Sequence, residues 1–489
     1  MHSLAIILSF FFVTFTDKGG SSRVALSEEA KALRAVRGIA IDSLDYAVSE
    51  TYVEALRTAG ARVCYTSRWI NGATVYCHKA DIEAISKLPF VKDVQLTRGL
   101  QEYLDDINAG QKPRRKVQMP DKRGQIFHPS DGDDPGPDPE PEYPGWEDQL
   151  KTYNLLPLHE AGYQGQGVTV AVIDCGFWNL STAAAFDSMR TEGRLLGAYD
   201  FSEDGTGFED GDGEHGAVCL GLIGGHTDIY QGAAVKAKFY AIKSEENQME
   251  SAKEPDNWVA AIEACDSLGV WIASTSLGYW GFDEPIVNYT YADMDGKTIR
   301  ASRAATIAAR KGMLLCIAAG NTGQNGEWPW IGTPADADSI LTVGAVGYDS
   351  IATLFSSIGP TADGRIKPDV CAVGETNCLI SANSGSLYYG NGTSFATPLI
   401  AGLAACLWSA YPNETNMQIR ERIIRSSHMY DAPDNQYGYG IPNAWKAYCA
   451  TGTDVIVESP ETEIIKRLEH GQLIIIRAGV QYTILGQQL

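Results

Sequence analysis

The sequence is poor in basic residues and has no apolar run long enough to cross a membrane as a helix. Lys and Arg number 39 among 489 residues, against 61 Asp and Glu, which gives a formal net charge of −22 at pH 7. A chain this acidic repels phosphate backbones, so we expect no nucleic-acid partner. The N-terminal apolar run, 4–15, is shorter than the roughly 20 residues of a membrane helix. We therefore expect no stable membrane span.

Cysteine is also sparse and unpaired in sequence. Ten cysteines are spread from Cys64 to Cys449, and no two of them form a CxxC pair. This spacing disfavours a zinc cluster and a disulfide scaffold, although it is compatible with a few isolated disulfides.

Composition divides the chain into five zones. The apolar run 4–15 has the length of a signal-peptide core, so we expect a signal peptide and export; an apolar N-terminus without that role is the alternative. Residues 131–148 carry eight carboxylates, five prolines and no Lys or Arg, which indicates an extended linker. That linker is either a solvated spacer or a protease-accessible hinge. The predicted zones are a signal peptide (1–20), a small mixed domain (21–100), a linker (101–145), a large Gly-rich domain (146–450) and a tail (451–489).

The large domain alternates continuous apolar runs with amphipathic stretches such as 256–267 and 298–310. Runs without polar alternation are typical of strands covered on both faces, and their alternation with helices predicts a doubly wound, mostly parallel α/β sheet. Ligand chemistry then belongs at the carboxyl ends of the strands. The runs are 168–173, 237–242, 270–276, 313–319 and 340–346.

Four polar residues at such positions can carry chemistry. Asp174 and Asn321 each follow an apolar strand, His215 precedes a glycine, and Ser394 opens a predicted apolar helix. Taken singly, each has an ordinary structural explanation: a turn residue for Asp174 and Asn321, and a helix cap for Ser394. A hydroxyl at a helix start also lies where backbone N–H groups and the helix dipole favour negative charge.

Together the four motifs resemble the subtilase family of serine peptidases over residues 146–450. They read Val-Ile-Asp174-x-Gly, His215-Gly, Ala-Ala-Gly-Asn321 and Gly-Thr-Ser394-x-Ala-x-Pro. The order Asp, His, Ser is the subtilisin order. The resemblance implies a serine endopeptidase acting on proteins or peptides. It makes Ser394 the nucleophile, His215 its base, Asp174 the residue that orients the imidazole, and Asn321 an oxyanion donor.

The same resemblance suggests a substrate-binding strand and a specificity pocket. Ser276, Leu277 and Gly278 are similar to the family strand that pairs with the substrate backbone; an ordinary strand end is the alternative. Gly332 resembles the floor of the S1 pocket. A glycine there implies a deep apolar pocket for a large apolar or aromatic P1 residue.

Some residues depart from the family pattern. Cys175 stands where Ser or Thr usually follows the catalytic Asp, and Cys219 lies four residues after His215, as in the proteinase K group. We interpret Cys219 as a small buried hydrophobe, and a Cys175–Cys219 disulfide stays open. We expect the chemistry to need no cofactor and no metal. We interpret the seven carboxylates of 200–214 as a solvated acidic loop, with a structural calcium ion as the alternative.

Residues 36–97 have a β-α-β-β-α-β pattern typical of a small ferredoxin-like α+β domain. We predict its strands at 37–41, 63–67, 73–77 and 91–96 and its helices at 50–59 and 81–88. It resembles the subtilase propeptide, which implies a self-processing zymogen whose propeptide assists folding and inhibits the enzyme. In the tail, 471–477 and 480–486 predict a β-hairpin that is either a sorting element or an edge of the peptidase.

Two other functions stay open. A catalytically impaired, peptide-binding protein on the same fold is the first, and retained peptide binding without turnover would favour it. A peptidase dedicated to maturing one partner is the second, and a broad cleavage profile would count against it.

Overall fold

The computed structural model describes residues 8–98, 125–127, 143–202, 207–209, 213–246, 250–283, 288–450 and three strands of the tail. The strands are β1 (Leu8–Phe15), β2 (Arg62–Ser67), β3 (Gly72–His78), β4 (Val91–Arg98), β5 (Gln125–Phe127), β6 (Thr169–Asp174), β7 (Leu195–Asp200), β8 (His226–Thr227), β9 (Tyr230–Gln231), β10 (Lys238–Lys243), β11 (Ile272–Thr275), β12 (Leu314–Ala318), β13 (Leu341–Val346), β14 (Val370–Val373), β15 (Asn377–Ile380), β16 (Leu387–Asn391), β17 (Ile465–Glu469), β18 (Gln472–Arg477) and β19 (Val480–Thr483). The α-helices are α1 (Glu28–Val36), α2 (Glu50–Thr58), α3 (Ile82–Ser86), α4 (Trp146–Lys151), α5 (Leu156–Glu160), α6 (Asp187–Thr191), α7 (Glu214–Gly224), α8 (Glu254–Leu268), α9 (Arg300–Arg310), α10 (Thr393–Ala410), α11 (Asn416–Ser426) and α12 (Ala444–Cys449).

A seven-stranded sheet forms the centre of the large domain. Its order is β14-β13-β12-β11-β6-β10-β7, and every neighbouring pair is parallel. Helices α7 and α10 pack against one face, and α8 and α9 pack against the other. This confirms the predicted doubly wound α/β fold, because strands covered on both faces have no exposed side that would require polar alternation.

Helix α10 lies in the core of this domain. It is the one helix among the described residues that is long and apolar enough to cross a membrane by length and composition, and 89% of it is buried inside the protein. Its apolar character is explained by contacts with β11, β12, β13 and β14.

The N-terminal domain is a four-stranded antiparallel sheet of order β2-β3-β1-β4, with α2 and α3. This confirms the ferredoxin-like order, but its first strand is β1 and not the predicted segment 37–41. Those five residues follow α1 as turn and coil.

The signal peptide expected at 1–20 stays a prediction, although its described residues include strand β1 of this sheet. Strand β1 pairs with both β3 and β4, and its two faces are buried in different cores. Phe11 and Val13 face the N-terminal domain, whereas Phe12 packs with the core of the large domain. A strand buried on both sides is continuously apolar, as a signal core is, so composition alone does not separate the two interpretations.

The N-terminal and large domains form one compact unit, residues 1–449. Their contact centres on α8. Arg34 of α1 and Arg68 both bind the Asp266 carboxylate, at 2.6 and 2.5 Å, and all three side chains are buried. Glu263 accepts hydrogen bonds from the backbone N–H groups of Arg68 and Trp69 at 2.9 and 3.2 Å.

A second contact is made by Arg37. Its guanidinium lies 4.2 Å from the ring centroid of Trp271 and 4.3 Å from that of Trp408, and it donates to the carbonyl of Gly312 at 2.8 Å. Both tryptophans belong to the large domain, so this arginine adds a cation–π contact to the interface.

The predicted linker lies largely outside the described residues. Within it, β5 pairs antiparallel with β16, just before α10. The tail, 450–489, is a separate compact unit in which β17, β18 and β19 form an antiparallel sheet in that order. The two predicted strands of the tail are present, and β17 adds a third that was not predicted.

Candidate active site

Asp174 and His215 form a buried pair. Asp174 ends β6, and His215 is the second residue of α7. The imidazole Nδ1 lies 2.7 Å from Asp174 Oδ1. Because a carboxylate accepts hydrogen bonds, Nδ1 carries the proton in the neutral ring, and Nε2 is left as the basic nitrogen.

Two glycines allow this close approach. A Cβ atom on Gly216 would lie 2.1 Å from the carbonyl oxygen of Gly176 and 2.9 Å from Asp174 Cβ. Gly176 itself has φ +140°, a conformation that side chains disfavour. The glycines of the Asp-x-Gly and His-Gly motifs therefore bring the start of α7 against the end of β6.

Electrostatics favour the protonated form of the histidine. Burial alone lowers the pKa of His215, but attraction to the Asp174 carboxylate outweighs it and raises that pKa well above its ordinary value. By contrast, burial lowers the pKa of His159, whose Nε2 lies 2.8 Å from the carbonyl oxygen of Ala233.

Ser394 is the second residue of α10 and lies beside this pair. Its carbonyl oxygen accepts from Ser276 Oγ at 2.8 Å and from the Cys219 thiol at 3.5 Å, and that thiol is 3.9 Å from His215 Nδ1. The Ser394 hydroxyl donates to the Ser276 carbonyl at 3.4 Å. Among the described residues, His215 Nε2 has no hydrogen-bond partner, so the hydroxyl must rotate toward it before proton transfer.

Asn321 is oriented by Thr393. The Asn321 Oδ1 atom accepts from the backbone N–H and from the hydroxyl of Thr393, both at 2.9 Å, and the N–H of Gly320 donates to that hydroxyl at 3.2 Å. With its oxygen held in this way, the side chain directs its NH₂ group away from Thr393. Sequence reasoning assigned no role to Thr393, although its position just before Ser394 was the available signal.

The predicted substrate-binding residues lie around one pocket. Ser276, Leu277 and Gly278 follow β11 as an irregular segment, and they line this pocket with Asn321 and Ser394. The structure thus brings the predicted nucleophile and the predicted substrate-binding segment to one concave surface.

Gly332 also lines the pocket, together with Trp280 and Trp330. A Cβ atom at Gly332 would lie 2.8 Å from the carbonyl oxygen of Tyr279, so the glycine is required by a close backbone approach as well as by space in the pocket. Trp280 stacks on Trp328 with ring centroids 4.9 Å apart. Sequence reasoning missed these tryptophans, since only the fold brings 280 beside 328–330.

Two predictions about cysteines and metals concern this region. Cys219 carries a free thiol, so the Cys175–Cys219 disulfide that the sequence left open is not formed. The acidic loop 200–214 lies partly outside the described residues, so the choice between a solvated loop and a calcium site stays untested.

Comparison with known families gives two matches. Residues 165–440 match the model of the subtilase family, and residues 10–115 match the peptidase S8 propeptide domain of Bacteroidota. The second match includes most of β1, in agreement with its place in the N-terminal sheet.

Individual relatives each match part of the chain. Serine protease AprX of Bacillus subtilis (strain 168) is 30% identical over 312 residues, which cover 57% of this chain and 66% of AprX. Subtilisin E of the same strain is 30% identical over 295 residues, which cover 59% of this chain and 68% of subtilisin E. Among solved structures, MycP1 from Mycobacterium smegmatis has a TM-score of 0.51 at 20% identity, covering 69% of this chain and 94% of MycP1. At that identity the MycP1 likeness shows the fold alone.

Proposed function

This chain belongs to the subtilase family of serine peptidases, and on that premise we propose that it cleaves peptide bonds through an acyl-enzyme on Ser394. The single observation that supports this assignment best is the buried 2.7 Å contact between His215 Nδ1 and Asp174 Oδ1. This contact holds the ring proton on Nδ1, so Nε2 is the nitrogen that can accept a proton from a serine hydroxyl.

The reaction follows from this arrangement. Ser394 Oγ attacks the scissile carbonyl while His215 Nε2 takes its proton, and Asp174 stabilises the imidazolium that forms. The Asn321 amide and the Ser394 backbone N–H donate to the oxyanion. His215 then passes the proton to the leaving amine, and water hydrolyses the acyl-enzyme by the same steps.

The pocket beside Ser394 supports an apolar P1 residue. Its walls include Leu277, Trp280 and Trp330, and Gly332 leaves space between them. The irregular segment 276–278 offers backbone groups to an extended peptide, so main-chain pairing gives affinity and this pocket gives selectivity.

We further propose that the N-terminal domain is an inhibitory propeptide removed by the enzyme itself. The support is its buried, charge-paired contact with α8 and its match to the propeptide model. Cleavage is expected between residues 99 and 124, because β4 belongs to the N-terminal sheet whereas β5 pairs with β16 of the peptidase domain.

Export stays a prediction, based on the family and on the apolar run 4–15. A calcium ion near 200–214 also stays a prediction, based on carboxylate content alone.

The test compares the full chain with its Ser394→Ala variant by intact mass over time. We expect only the Ser394 chain to shorten, with a new N-terminus between residues 99 and 125. Persistence of both chains at full length, with peptide binding but no hydrolysis after limited trypsin treatment, would instead support the impaired, peptide-binding protein.

A further inference from the structure

Three metal-binding side chains of different chemistry meet at the active centre. Asp174 and Cys175 leave the end of β6, and His215 comes from α7. A carboxylate oxygen, the thiol sulfur and an imidazole nitrogen all lie within 4.8 Å of one another. Carboxylate, thiolate and imidazole are the donors that Zn²⁺ uses in proteins.

Two atoms of this group are buried and have no hydrogen-bond partner among the described residues. They are Asp174 Oδ2 and His215 Nε2, and the two side chains are 0% and 3% exposed. Buried polar atoms are normally satisfied, and the peptidase mechanism uses only Nε2. The Asp174 Oδ2 lone pairs are therefore available to a cation.

The geometry is close to that of a bound ion. With metal–ligand distances of roughly 2.0–2.3 Å, tetrahedral donors lie about 3.3–3.8 Å apart. The observed separations reach 4.8 Å, and side-chain movements of about 1 Å shorten them to that range. Cys219 is outside this set, although its thiol lies 3.9 Å from His215 Nδ1.

We propose that Asp174, Cys175 and His215 bind a Zn²⁺ ion that reversibly inhibits the peptidase. Binding releases the thiol proton of Cys175 to solvent, and the carboxylate and thiolate together balance the charge of the ion. If Nδ1 is the imidazole ligand, its proton moves to Nε2. The ion is bound to the imidazole that must accept the Ser394 proton, so hydrolysis stops until a chelator removes the ion. The inhibition rests on the proposed function, whereas metal binding does not.

The test therefore has one readout that needs no activity. Co²⁺ is added to the full-length Ser394→Ala chain, and a cobalt–thiolate charge-transfer absorption is measured after long equilibration, because the site is nearly sealed. We expect one equivalent to bind, with the band lost in the Cys175→Ser background and kept in the Cys219→Ser background. If Cys175→Ser does not fold, Cys175→Ala replaces it, and thermal unfolding checks each variant.

The second readout is inhibition of the processed enzyme by Zn²⁺ alone. We expect Cys175→Ser to need about tenfold or more Zn²⁺ for half-inhibition relative to its own zinc-free rate, with Cys219→Ser close to the parent. Equal sensitivity of the parent and Cys175→Ser, or loss of the cobalt band only in Cys219→Ser, would overturn the proposal. A cobalt band that depends on Cys175 in a chain without any peptidase activity would leave the metal site standing and reject the catalytic assignment instead.

Discussion

At the scale of single residues, the orientation of the Asn321 amide depends on Thr393. Two hydrogen bonds of 2.9 Å fix its oxygen, which preorganises its NH₂ group for the oxyanion role that we propose.

We therefore expect Asn321→Ala to lower kcat by about 10²–10³, the range measured for such a donor in subtilisin, with little change in KM. Steady-state kinetics on a peptide substrate measure this. Asn383→Ala, in an exposed turn, is the matched control and should keep the parental kcat. A rise in KM comparable to the fall in kcat would show that the amide binds the ground state as well.

A second prediction at this scale concerns pH. His215 must be neutral to accept the serine proton, and its pKa is raised by Asp174. We expect kcat/KM to rise with pH and to level off only above about 6.5, the ordinary histidine pKa. The same shift means that the ion pair stabilises the fold fully at pH below the unfolded pKa and is lost as pH rises through the folded pKa.

The pH–rate profile measures the first effect. Histidine NMR on the Ser394→Ala chain supplies the comparison, because His159, whose pKa is lowered by burial, should titrate below 6.5 while His215 titrates above it. A profile that levels off at a pH below 6.5 would contradict the prediction.

Much of the candidate site could be predicted from local sequence, because its chemistry is concentrated in short motifs at strand and helix ends. The role of Thr393 could not, since it depends on a contact with residue 321 across the sheet. Likewise, Trp280 stacks on Trp328 because the fold brings two distant segments together, and neither segment has a local sequence pattern that predicts the contact.

At the scale of elements, β1 shows where sequence reasoning fails for a physical reason. A signal core and a strand buried on both faces share one composition, and no turn or charge within 8–15 separates the two. The strands and helices predicted between residues 50 and 96 are present, because those elements alternate or carry turn residues such as Asn71-Gly72 at their ends.

We expect Val13→Asp to destabilise the N-terminal domain by about 3–5 kcal/mol, since Val13 is fully buried in the central strand. Hydrogen exchange on the Ser394→Ala chain measures this at β3 and β4, whose amides pair with β1. Ser22→Asp adds the same charge at an exposed position and should leave the protection unchanged. Equal protection in both variants would return β1 to the signal-peptide interpretation.

At the scale of the whole molecule, the two domains are joined by buried charges that are far apart in sequence. Asp266 of the peptidase domain binds Arg34 and Arg68, and Lys311 binds Asp45 at 2.9 Å. No local pattern predicts such pairs, so the interface was the part of the structure least accessible to sequence reasoning. A shared acceptor is also a point of weakness, because its removal takes one carboxylate from two buried guanidinium groups and leaves Arg34 with Asp45 at 2.5 Å and Arg68 with Glu263 at 3.7 Å.

The last prediction uses that weakness to test whether the N-terminal domain stays bound after cleavage. Breaking a buried ion pair costs about 3–5 kcal/mol, which corresponds to a loss of affinity of about 100-fold or more. We therefore expect the parent, after processing, to co-elute with its N-terminal domain in size-exclusion chromatography and to gain activity slowly, whereas Asp266→Ala separates and becomes active at once. Asp228→Ala removes an exposed carboxylate from the β8–β9 turn and should behave as the parent. If Asp266→Ala also co-elutes with full inhibition, the α8 charges do not hold the domains together, and the inhibitory contact lies elsewhere on the peptidase.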